Sequence, residues 1–178
     1  MGRDGAASWF MAVDDANPPF GPSTRGYQFE LVLHIVRDPL KVIASVAQFI
    51  LQHGEPSPEY IERHAPATRL TCEEGRILEP KQQLMLRASR YWYYWNRLAE
   101  EKADQTVQLE QLTSALPGLC CDLGVEYQPE RVEKIPKNTN ARWRYVREEP
   151  WTLEWTVLEA LDPGLSNEIR GLAASYGY

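Results

Sequence analysis

The chain has 178 residues, of which 43% are hydrophobic and 11% aromatic, enough for one domain, residues 1–178, with a sizeable core. Its formal net charge is −6, with 19 Lys and Arg against 25 Asp and Glu, which argues against a general nucleic-acid binder, because binding to a phosphate backbone is driven by excess basic side chains. A small anionic ligand would need a local basic patch, and no stretch approaches the roughly 20 apolar residues of a membrane-spanning helix.

Residues 1–29 read as a loop-rich entry segment, dense in Gly, Pro, Asp and Asn, with Gly21-Pro22-Ser23-Thr24-Arg25-Gly26 as a loop. Trp9, Phe10, Phe20 and Tyr27 point to packing against a neighbour rather than a free tail. The stretch carries acidic residues and lacks the apolar heart of a secretory leader, so a cytoplasmic location is expected. Cys72, Cys120 and Cys121 are odd in number, form no C-x-x-C pair, and include two neighbours that rarely bridge each other, which points to a reduced compartment or to inert thiols.

An almost continuous apolar run follows: Leu31, Val32, Leu33, Ile35 and Val36. Such a run predicts a strand buried on both faces. It breaks at Arg37-Asp38-Pro39 and resumes at helical spacing to Gln52, with Asp38 in the N-cap place and Pro39 at the first helical position. Arg37 thus stands at the carboxyl end of a strand with the positive end of a helix beside it, where open α/β sheets bind anions. His34, three residues earlier, faces away from Arg37 by strand alternation and reads as a satisfied buried histidine.

The next stretch reads as a connector with a short helix near 58–64, and Glu55, Glu59, Glu62 and Glu73 are scattered along it. His34, His53 and His64 do not share ligand spacing, so no metal site is expected. From about Glu79 to Lys102 runs the longest helix, with an apolar stripe through Leu84, Ala88, Tyr91, Trp95 and Leu98, widened by Met85, Trp92 and Ala99. Its aromatic cluster, RYWYYWN, reads as core rather than as a stacking platform.

Gln105 to Leu109 reads as a second parallel strand, followed by a helix that ends in Leu-Gly, a continuation of the βαβ pattern. Glu110, at the end of that strand, is either an orienting carboxylate for a basic group or an ordinary helix-start acid. Residues 130–147 then gather Arg131, Lys134, Lys137, Arg142, Arg144 and Arg147 against Glu130 and Glu133, and Pro136, Asn138 and Asn140 make the run a loop. Two short helices split at Asp162-Pro163-Gly164 end the chain, the last with Ser166 as its expected cap.

Several of these stretches resemble the sulfotransferases that use 3′-phosphoadenosine 5′-phosphosulfate. VRDPLKVIAS is similar to the segment that grips the donor's 3′-phosphate in that family, and the resemblance gives the role to Arg37 and to Ser45, eight residues later. Trp92, Trp95 and Asn96 match a W-x-x-W-N helix, LEQL matches the strand-end Glu-x-Leu, and N-T-N-A-R-W resembles the loop that closes over the nucleotide. By that resemblance Arg142 and Arg144, with Lys137 behind them, are further phosphate ligands. The implied fold is α/β, a P-loop-nucleotide-hydrolase-like three-layer α/β/α arrangement with a parallel sheet.

The family's first strand and glycine loop, which cradle the 5′-phosphosulfate, have no counterpart here, so the chain is expected to begin part-way through the domain and its C-terminus to be complete. No catalytic base is assigned: Asp14 and Asp15 lie roughly where some family members keep a histidine, but read as a solvated pair. The resemblance implies sulfuryl transfer to a hydroxyl or amine of a small-molecule or carbohydrate acceptor, impaired in this chain alone. The alternative is a non-catalytic module that binds adenosine 3′,5′-bisphosphate or a protein partner.

Overall fold

The structure, a computed structural model, describes residues 31–54, 66–101, 103–134 and 151–178. Among them lie two strands, β1 (Leu33–Val36) and β2 (Gln105–Gln108). The helices, in chain order, are α1 (Pro39–His53), α2 (Cys72–Ile77), α3 (Pro80–Glu100), α4 (Leu112–Asp122), α5 (Pro129–Glu133), α6 (Trp155–Leu161) and α7 (Pro163–Ser175). The described chain is thus mostly helical around a two-stranded parallel sheet, an α/β arrangement in the general sense.

The sheet has the expected direction and register. Leu33 pairs with Gln105 and Val36 with Gln108, so both strands leave the sheet at the same edge. Their starts are tied by Asp104, whose carboxylate accepts from the Val32 amide at 2.7 Å while its own amide donates to the Val32 carbonyl at 2.9 Å. Burial on both faces does not follow: Val36 is 2% exposed but Ile35 46%. His34 and Val36 face the packed side, where His34 meets Asn96 of α3 and Tyr176 beyond α7. On the strand's other side, α4 reaches β2 through a 2.9 Å bond between Asp122 and Gln105, and Ile35 stays open.

The core lies between α1, α3, α6 and α7, centred on Ile43, Leu86, Leu158 and Ile169, all at or below 2% exposure. Small residues set its geometry. Ala44 and Ala47 on α1 and Ala88 on α3 are buried without bulk, and among the described elements these two helices make the most extensive contact. The buried stripe of α3 therefore follows the widening side of the expected one, with Leu86 and Ser89 added. Met85, Leu86, Ala88, Ser89, Trp92 and Ala99 are buried, whereas Leu84, Tyr91, Trp95 and Leu98 are only partly so. A helix can approach its neighbour closely only along a line of small side chains, and that line runs through Ala88 and Ser89.

Local signals decide where helices begin. Thr71 and Glu74 form a reciprocal capping box at α2, and Pro80 opens α3 after Glu79. At the last helix the expected cap is corrected: Asp162, not Ser166, accepts from the Leu165 amide at 2.9 Å, and Ser166 is buried one turn inside α7. With Pro163 fixed at the first helical position, the residue before it takes the cap.

Candidate functional site

Parallel register brings the two strand ends together. Val36 lies opposite Gln108, so Arg37 and Glu110 emerge side by side at the carboxyl edge. Arg37 Nε stands 3.7 Å from Glu110 Oε1, with both side chains about half exposed. Sequence left Glu110 open between an orienting carboxylate and a helix-start acid, and the geometry puts it beside the basic group.

At the start of α1 the cap changes the electrostatics. The Asp38 carboxylate accepts from the Leu40 amide at 2.9 Å and the Lys41 amide at 3.4 Å, and Pro39 has no N–H. The helix-terminal donors that sequence offered to an anion are thus already served by a carboxylate. The cationic side chains here are Arg37 and Lys41, whose Nζ lies 3.5 Å from Asp38 Oδ2. Ser45 is exposed one turn beyond Lys41, roughly 6 Å along the axis. Asp38, Lys41 and Ser45 therefore line one exposed stripe.

The chain's last residue completes the cluster. Tyr178 donates its phenol proton to Glu110 Oε2 at 2.6 Å, and the phenol oxygen lies 3.2 Å from the Val36 carbonyl oxygen. That bond is the main reason the Glu110 carboxyl is held below its usual range; burial opposes it, and a backbone hydrogen bond and the charges of Arg37 and Lys41 add to it. The phenol is pushed the other way, first by burial and then by Glu110.

His34 is buried, as expected, but only half satisfied. Asn96 donates through Nδ2 to the Trp92 carbonyl at 2.6 Å, which turns its Oδ1 towards His34 Nε2 at 2.9 Å. The ring is therefore the neutral Nε2–H tautomer, and Nδ1 has no hydrogen-bond partner. Burial lowers its pKa, against the bond to Asn96 and the charge of Glu100. It stands on the packed side of the strand and does not join Arg37.

Of the sequence-derived site residues, Arg37 stands at this edge, and Ser45 is exposed on α1 roughly 9 Å along the axis from Pro39. Lys137, Arg142 and Arg144 lie outside the described residues, as do Asp14, Asp15, the Gly21–Gly26 loop and the helix expected at 58–64. Lys41 and Tyr178 were missed. Lys41 has a local signal, since it falls four residues after Arg37 and four before Ser45. Tyr178 has none, being 142 residues from the strand it touches.

Elsewhere, a groove of about 400 Å³ between α4 and α5 is lined by Leu116, Cys120, Val125, Tyr127, Arg131 and Val132, and involves neither Arg37 nor Ser45. Cys72, Cys120 and Cys121 are free thiols. Among the described residues no three His, Cys, Asp or Glu are arranged to hold a metal ion, and no helix is long and apolar enough to cross a membrane. The chain matches no protein-family model, no curated protein and no solved structure in the three comparisons made.

Proposed function

We propose that the chain is a sulfotransferase-like domain, of the P-loop-like three-layer type, whose Arg37 holds the 3′-phosphate of 3′-phosphoadenosine 5′-phosphosulfate. The observation that carries this reading is the half-exposed guanidinium at the carboxyl end of β1, between the capped start of α1 and the end of a parallel neighbour. Ligands of open α/β sheets lie at this edge, and a guanidinium matches phosphate geometry. Lys41 and Ser45, both exposed on α1, are proposed to add a cation and a hydroxyl. Arg142, Arg144 and Lys137 are proposed as further phosphate ligands on sequence alone.

Sulfuryl transfer is an in-line displacement. An acceptor oxygen or nitrogen bonds to sulfur as the bond from sulfur to the phosphate oxygen breaks, that oxygen keeps the electron pair, and the acceptor's proton passes to a base. Positioning and fixed cations supply most of the rate. A second reading, nucleotide binding without turnover, is favoured by the surroundings of Arg37. Asp38 is committed to its cap, Glu110 to Tyr178 and His34 to the packed side. Among the described residues at this edge, each of these groups is thus already engaged by another part of the chain.

Titration calorimetry with adenosine 3′,5′-bisphosphate tests the shared part of both readings. Binding that is lost in Arg37→Ala is the expected result, and no binding, or binding indifferent to that change, overturns both. Incubation with the sulfuryl donor and a panel of hydroxyl and amine acceptors separates them, with little or no turnover expected from this chain alone.

A further inference from the structure

Arg37 and Glu110 carry opposite charges at adjacent strand ends, yet their nearest atoms are 3.7 Å apart, beyond hydrogen-bond distance. An unconstrained Arg–carboxylate pair closes to roughly 2.7–2.9 Å and often engages both oxygens. The other oxygen of Glu110 accepts the 2.6 Å bond from Tyr178.

Tyr178 is itself held in place. Its amide donates to the Ala173 carbonyl at 3.0 Å, Gln108 Nε2 donates to the Tyr176 carbonyl at 2.6 Å, and Gly177 makes the turn between them at φ +86°. The closing turn of α7 thus fastens to the end of β2 and sets the phenol over both strand ends.

We infer, resting on the reading of Arg37 as an anion ligand, that Tyr178 is a positioning residue that holds the Glu110 carboxylate back from Arg37. The guanidinium then keeps its donors for an incoming phosphate, while Glu110 acts as the counter-ion that the phosphate outcompetes. Two substitutions follow with opposite signs. Glu110→Gln removes the competing charge and tightens binding about 3- to 10-fold, the scale of one partly exposed ion pair. Tyr178→Phe keeps the ring but frees the carboxylate to close on Arg37, and weakens binding about threefold.

The test is calorimetry with adenosine 3′,5′-bisphosphate at low salt on the full chain, its Glu110→Gln and Tyr178→Phe variants, the double variant and Arg37→Ala, with circular dichroism melts as the folding check. Because Tyr178 acts through Glu110, adding Tyr178→Phe to Glu110→Gln is expected to change nothing. A second readout needs no substitution at Glu110: the Arg37 Nε–H resonance moves on titration with the bisphosphate and, without ligand, moves on loss of the Tyr178 hydroxyl. Weaker binding in Glu110→Gln, tighter or unchanged binding in Tyr178→Phe, or a Tyr178 effect that survives in the double variant overturns the inference. If Arg37→Ala abolishes binding while the Glu110 and Tyr178 variants match the unaltered chain, this inference alone fails. If no form binds, the reading of Arg37 fails with it.

Discussion

His34 Nε2 lies 2.9 Å from Asn96 Oδ1, a bond that fastens the first strand to the long helix from inside the packed side of the sheet. The partner nitrogen, Nδ1, is buried without a hydrogen bond, so a proton added there would be a buried, unpaired charge. The folded pKa is therefore lowered from the ordinary 6.5, chiefly by burial. Below pH 6.5 the unfolded chain takes up a proton that the folded chain resists, so stability falls as pH drops through the interval between the two values and is flat above it. Urea denaturation at pH 8 and at pH 5.5 checks this, with His34→Gln as the reference. The unaltered chain is expected to lose more stability on acidification than the variant, and equal losses refute it.

Asn96→Ala leaves the imidazole N–H without its acceptor, and a loss of about 1–2 kcal/mol is expected. Denaturant titration at pH 8, where the ring is neutral in both states, isolates that cost from the pH effect.

Glu74 does two jobs at once. It closes the α2 capping box by accepting from the Thr71 amide at 2.7 Å, and it takes both ends of the Arg90 guanidinium, at 2.5 and 3.1 Å. Arg90 in turn donates to the Arg69 carbonyl at 2.6 Å, so the connector before α2 is pinned to α3. Glu74→Ala is expected to lower stability by about 1–2 kcal/mol, the scale of a lost cap plus a partly exposed ion pair. Arg90→Lys, which cannot make the bidentate contact, is expected to recover only part of the difference from Arg90→Ala. Thermal melts of the three variants beside the unaltered chain decide it.

Gly177 is needed for its backbone and for its lack of a side chain. Its φ of +86° is one that L side chains rarely adopt, and a Cβ there would lie 2.8 Å from Gln108 Nε2. Gly177→Ala is expected to lower stability by about 1–2 kcal/mol and to displace Tyr178 from Glu110. Bisphosphate binding should then weaken as in Tyr178→Phe, which calorimetry on the two variants side by side would show.

The strand–turn–helix junction was legible because each of its signals is local. An apolar run, an Asp in the cap place and a Pro at the first helical position each act within a few residues, and the strand, cap and helix all lie where they point. The parallel partner was legible for the same reason. What sequence missed depends on approach between distant elements. The buried line of α3 keeps Ala88, Met85, Trp92 and Ala99 of the expected stripe and adds Leu86 and Ser89, because the small side chains of Ala88 and Ser89 admit α1, which leaves Tyr91 and Trp95 only partly buried. The role of Asp38 was half seen: its cap was expected, but not that the cap would occupy the donors an anion would use. Tyr178 gave no sign of its place, since a closing Gly-Tyr has no period or spacing that names Glu110 as its partner.

The most direct measurement compares adenosine 3′,5′-bisphosphate with adenosine 5′-monophosphate, in the unaltered chain and in Arg37→Ala. If Arg37 holds the 3′-phosphate, the unaltered chain prefers the bisphosphate by at least about tenfold, the scale of a charge-assisted bond, and Arg37→Ala erases most of that preference while leaving monophosphate affinity nearly unchanged. Equal binding of the two nucleotides by the unaltered chain, or a preference that survives Arg37→Ala, would contradict it.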